Sequence, residues 1–137
     1  MKKWITGLLV LIVMSSAAFA QDDTLKCNPE GTQIEMNVCA AEDYQKADKK
    51  LNETWKKLMV KFKNDKTATT NLKKAQKAWV AFRDADIEAM FSCASGDRVC
   101  WGSMESMLRS GELQAMTEAR TKRLQHYIDN GLGSSEE

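Results

Sequence analysis

Four cysteines, Cys27, Cys39, Cys93 and Cys100, a single histidine, His126, and the carboxylates Asp84, Asp86 and Glu88 are the side chains with most reactive potential in this chain. A cysteine beside a histidine can act as a nucleophile, four cysteines can hold zinc, and two carboxylates at a fixed distance can share acid and base roles. Each chemistry asks for a spacing that is missing. Zinc ligation favours cysteines two residues apart within each pair, and these pairs are set wrongly for it. The three carboxylates alternate along one segment, which fixes no acid–base pair. His126 lies near the C-terminus of a helical stretch, where a surface role is the commoner one. No glycine-rich phosphate loop occurs. The expectation is a protein with no catalytic residue, no metal and no cofactor.

An even number of cysteines is most simply a set of disulfides when the chain enters an oxidising compartment. The N-terminus predicts that it does. Residues 1–20, MKKWITGLLVLIVMSSAAFA, place two lysines before an apolar run and end on Ala18-Phe19-Ala20. That order is a cleavable export signal, and the run is shorter than the roughly 18 residues a spanning helix needs. A periplasmic or secreted domain over 21–130 follows, then a disordered tail over 131–137.

Formal charge is +1 for the whole chain. Its sign alone indicates no partner, and nothing suggests nucleic acid. Its distribution says more. Acids dominate 21–45 and 78–112, whereas lysines dominate 46–77. Lys49, Lys50, Lys56, Lys57, Lys61, Lys63 and Lys66 are the core of that basic run.

Apolar residues recur at helical steps in three segments. Tyr44, Ala47, Leu51, Trp55, Leu58 and Phe62 mark a first helix over 33–64, opened by a Thr32/Glu35 capping box. Asn64-Asp65-Lys66-Thr67 breaks it, and Thr67 or Thr69 is expected to cap the second. Leu72, Ala75, Trp79, Phe82, Ala89 and Met90 carry the second helix toward Cys93. Residues 100–111 are ambiguous, and Leu113, Met116, Leu124, Tyr127 and Ile128 define a third helix ended by Gly131 and Gly133. No period-two run suggests a strand. Short connections predict an all-α, up-down-up three-helix bundle with all four cysteines at one pole. Trp55, Trp79, Phe82, Leu51 and Leu124 are the expected core.

The run T-Q-I-E-M-N-V-C-A, then Tyr44, Ala47-Asp48, Leu51-Asn52, Trp55, Leu72, A-Q-K-A-W from Ala75, F-R-D from Phe82, G-S-M from Gly102 and T-E-A-R-T-K-R-L from Thr117 resembles the LprI-like lysozyme-inhibitor domain family. The likeness spans about residues 27–127. It implies a small exported helical protein and, from the family's name, inhibition of lysozyme. Family members usually carry cysteines where Ile87 and Glu112 stand here, whereas Cys93 and Cys100 are found instead. The resemblance therefore implies that Cys27 pairs with Cys39 and Cys93 with Cys100. The crossings 27–93 with 39–100 and 27–100 with 39–93 stay open at a shared pole.

Three functions follow as expectations. The first is stoichiometric binding to lysozyme or another peptidoglycan hydrolase at the acidic cysteine pole, with Gln33, Asn37, Asp97, Arg98 and Trp101 as candidate contacts. Within Cys93–Ser103, Trp101 offers an anchor and Arg98 a partner for a cleft carboxylate, although Trp101 can also fold down onto the bundle end. The second is an envelope structural or adaptor protein that holds anionic polymer or lipid on its basic hairpin tip. The third is immunity against a secreted cell-wall hydrolase. Asp48, Arg83, Asp84 and Arg120 flank the apolar stripes and are expected to form an ionic network that holds shape.

Overall fold

The computed structural model of the protein describes residues 25–94 and 100–134. The export signal, the 95–99 segment with Asp97 and Arg98, and residues 135–137 lie outside them. Regular structure comprises α1 (Gln33–Lys61), α2 (Lys66–Met90), a single 3-10 turn (Gly102–Met104) and α3 (Glu105–Asn130). Among the described residues there is no strand.

The start of α1 follows from local chemistry. Asn28 accepts from the Gly31 amide through its carbonyl and from the Glu30 amide through Oδ1, a tight turn with Pro29 in its second position. Thr32 then accepts from the Glu35 amide while the Glu35 carboxylate accepts from the Thr32 amide, closing the expected capping box. The helix stops three residues earlier than its periodicity suggests, with Phe62 closing it onto the Leu58 carbonyl. Asp65 caps α2 by accepting from the Ala68 amide at 2.8 Å. Thr67 and Thr69 therefore do not cap it. Thr69 lies inside the helix and turns its hydroxyl to the carbonyls of Asp65 and Lys66.

Ala47, Leu51, Thr54 and Leu58 form the buried stripe of α1, and Thr117 and Leu124 that of α3. Small side chains at three of these six positions let the two backbones approach closely, and α1 with α3 is the tightest helix pair. Their contacts join start to start, Gln33 to Met107, and end to end, the Lys61 ammonium to the Ile128 carbonyl. Along α2 the order reverses: Gln76 meets Arg120, and Glu88 meets Arg109.

α2 stands further off. It buries Ala68 and Leu72 near its start and Ile87 near its end, followed by Phe91. Trp55, Trp79, Phe62, Tyr127 and Ile128 pack partly buried around the Leu51, Leu58, Leu72 and Leu124 cluster. Phe82 does not join them, contrary to expectation, and is 59% exposed. The buried stripe of α2 passes through Leu72, Trp79 and Ile87, and at ~100° per residue Phe82 lies off to its side. Gly111 falls inside α3, which begins eight residues before Leu113. Gly131, at φ 88°, ends α3, and Ser134 folds back to His126.

Candidate functional site

Both disulfides form, Cys27 with Cys39 and Cys93 with Cys100. The first ties the Asn28 turn to the side of α1, and the second closes the connection between α2 and the 3-10 turn. Asn37 bridges the two regions by donating from Nδ2 to the Ser103 carbonyl at 3.2 Å. Gln33 supports it, giving Nε2 to Asn37 Oδ1 at 2.9 Å and lying 3.7 Å from Met107 Sδ. All four half-cystines thus belong to segments gathered where α1 and α3 begin.

Trp101 closes this end. Its ring meets buried Phe91 edge-on at 5.3 Å, yet 40% of the residue stays exposed. Phe91 is covered from another side by the Arg109 guanidinium, 5.0 Å from its centroid. Arg109 in turn bonds Glu105 and Glu88, each at 2.8 Å. Those contacts hold the Glu88 carboxyl below its ordinary range, the Arg109 hydrogen bond being the main cause, and push the Arg109 guanidinium up. Sequence shows the Glu105/Arg109 pair at helical spacing but hides the Glu88 contact, which depends on how α2 returns. Leu25, Ile34 and Met104 are also exposed at this end. Among the described residues, Glu30, Glu35 and Glu105 are the acids nearest these in the chain, whereas Asp43 lies further along α1, paired with Lys46 and beside Gln114 and Glu118 of α3.

The four residues expected to form an ionic network do not form one. Arg83 bonds its neighbour Asp84 at 2.7 Å, Asp48 accepts from Asn52 at 2.9 Å, and Arg120 donates to Gln76 at 3.0 Å. Since α1 and α2 make little close contact, the Asp48 carboxylate has no route to the arginine of α2. What Arg83 and Arg120 share is Trp79, with guanidinium carbons 5.3 Å and 5.7 Å from its ring. Burial pushes the Arg120 guanidinium below its ordinary value, and its Nη2 has no hydrogen-bond partner among the described residues.

His126 is half-buried and touches Ser134 Oγ at 2.8 Å and Asn130 Nδ2 at 3.0 Å. Asn130 and Ser134 thus hold the two ring nitrogens of His126 from opposite sides. Ser134 then gives its own proton to the Gly131 carbonyl. The trio clips the segment after Gly131 onto the end of α3. No group of three or more metal-ligating side chains occurs among the described residues, and no described helix is long and apolar enough to cross a membrane.

Residues 25–124 match the family described as lysozyme inhibitor LprI, an inhibitor domain rather than a catalytic one. An uncharacterized protein of Rhizobium meliloti strain 1021 is 33% identical over 135 residues, covering 90% of this chain and 94% of that protein. No solved structure matches significantly. The matched span contains both disulfides, the 3-10 turn and α3 as far as Leu124, and on that match the chain belongs to the lysozyme inhibitor LprI family.

Proposed function

We propose that this protein is exported to the periplasm or beyond, folds as an up-down-up bundle, and inhibits a muramidase by binding it one to one through the disulfide pole. The observation that carries the reading is the Asn37 to Ser103 bond, which ties together the two segments that the disulfides brace. A braced surface loses less freedom on docking than a loose one. Trp101 is a large, partly exposed ring at that surface, and aromatic anchors of this kind dominate many interfaces.

Charge supports the same face. A muramidase cleft works through two carboxylates, one protonated and one ionised, on a protein that is commonly basic. Acids at the pole would speed the encounter, and an apolar rim would hold the complex once formed. Gln33 and Asn37 serve this surface from beneath, since both are engaged within the protein. Asp97 and Arg98 belong to the same loop as Trp101 and complete the proposed contact set.

The basic-tip reading has less to support it. Lys49 and Lys50 lie in the middle of α1, and Lys61 is occupied by the Ile128 carbonyl at the end of α3. Lys49 and Lys50 thus stand away from the bend, and only Lys56, Lys57, Lys61, Lys63 and Lys66 remain near it. A turbidity assay of cell-wall hydrolysis separates the readings. Oxidised protein should stop a susceptible lysozyme near equimolar ratio, and full hydrolysis by several lysozyme types in the presence of excess protein would refute inhibition of them.

A further inference from the structure

Where the first half of α2 lies against the second half of α3, a groove of about 460 Å³ opens to solvent. Ala68, Leu72 and Ala75 line one wall, Tyr127 and Leu132 the other, and Arg120 stands at the end beside Gln76. Arg120 is a half-buried cation without an acid. Its Nε goes to a neutral partner, the Gln76 amide oxygen at 3.0 Å, and its Nη2 is enclosed with no hydrogen-bond partner among the described residues. No described carboxylate is ion-paired with it, and none is among the groups that move its pKa. The acid of the groove, Asp65, lies at the opposite end. It caps α2 through the Ala68 amide and precedes Gln76 by about 16 Å along the helix. Neither Arg123, engaged at the Tyr127 hydroxyl, nor Arg83, which holds Asp84, is needed as a cation here. Tyr127 accepts from Arg123 at 2.9 Å and keeps its own proton to give.

We infer that this groove binds a carboxylate with a short apolar body, the carboxylate on the Arg120 guanidinium and the Tyr127 hydroxyl, the body along Leu72, Ala75 and Leu132. A charge held half-buried without a partner is costly, and a bound anion offsets that cost. The guanidinium fork matches a planar carboxylate. One guanidinium and one hydroxyl suit a single negative charge, and the apolar walls disfavour the second charge of a phosphate. The volume lies within the range of small-ligand sites. A free small acid and the carboxyl end of a short peptide share this chemistry. No disulfide and no residue of the pole takes part, so the site is independent of muramidase binding.

Leucine methyl 13C labelling of full-length, oxidised protein supplies the readout, with the Leu132 signal identified by Leu132→Ile. Octanoate below its micelle concentration and N-acetyl-leucine should shift that signal saturably, whereas octanamide and N-acetyl-leucinamide should not. A response to octanoate alone assigns a free acid, and one to N-acetyl-leucine alone assigns a peptide end. Ala75→Glu supplies the groove with the acid that Arg120 lacks. Because Ala75 is exposed on α2, this variant should melt no lower than the parent and bind the carboxylates about tenfold or more weakly. Thr70→Glu makes the same change of charge at an exposed position of α2 outside the groove and should leave binding within about twofold. Equal shifts by the acids and their amides would overturn the proposal. So would parent affinity in Ala75→Glu, an equal loss in both glutamate variants, or no saturable shift from either acid.

Discussion

Asn37, in the second turn of α1, donates to the carbonyl of Ser103, 66 residues away and just ahead of α3. Through this bond the braced entry to α1 and the braced entry to α3 share one end of the molecule. Asn37→Ala should cost about 1 kcal/mol of stability, the usual net value of such a bond. Trp101→Ala, which uncovers Phe91, should also cost stability, and beyond that it should lower muramidase affinity more than Asn37→Ala does. Urea denaturation of the two variants beside an inhibition assay checks the distinction. Inhibition unchanged by Trp101→Ala would argue that Trp101 serves the fold alone.

The disulfides should act as independent staples. Replacing Cys27 and Cys39 by serine, or Cys93 and Cys100, closes one loop fewer in the unfolded chain's favour and should cost about 2–3 kcal/mol in each case, on the chain-entropy account. Denaturant midpoints of the two double variants measure it. The Cys93/Cys100 pair should matter more for inhibition than for helix content, since its loop lies between helices.

Thr117 offers a stabilising change. Its hydroxyl is buried without a hydrogen-bond partner among the described residues, in the tight seam between α1 and α3. Thr117→Val keeps the shape and removes the unsatisfied group, so stability should rise by about 1 kcal/mol. Thr54→Val is the control: that hydroxyl donates to the Lys50 carbonyl at 2.9 Å, and its loss should bring no gain. Thermal melts of both variants give the comparison.

Acid should loosen the molecule from the pole. Glu35 is held below the ordinary glutamate value of 4.5 by its bond from the Thr32 amide and then by the Thr32 hydroxyl, and Glu88 by Arg109. A carboxylate whose folded pKa is depressed contributes stability above its unfolded pKa and loses it as pH falls through the folded one. Stability should therefore fall as pH drops below about 4.5. Glu35→Gln and Glu88→Gln should each flatten that fall, as read from denaturant midpoints between neutral and acid pH.

Much of the framework was legible because it is local. Thr32 and Glu35 specify a helix start within four residues, and Leu51, Leu58, Leu72 and Leu124 fall on periodic stripes that close into one cluster. The disulfide pairing came from likeness to a family, and the structure agrees with it. What the residues could not reveal depends on distances between helices. Phe82 keeps the rhythm of a core residue yet points aside, because α2 meets α3 along a narrower stripe than an apolar count suggests. Asp48 and Arg83 look like partners in sequence and find others, because α2 stands apart from α1, while Arg120 of α3 turns toward α2 and donates to Gln76. Residues 100–111 read ambiguously, and α3 resolves them by starting at Glu105 and running through Gly111.

Amide hydrogen exchange of the oxidised protein, free and saturated with an inhibited lysozyme, tests the central claim most directly. Slowed exchange should concentrate in residues 27–39 and 100–107, with little change from Lys56 to Lys66. Protection centred on the lysine-rich bend, with the cysteine-bearing end unaltered, would contradict it.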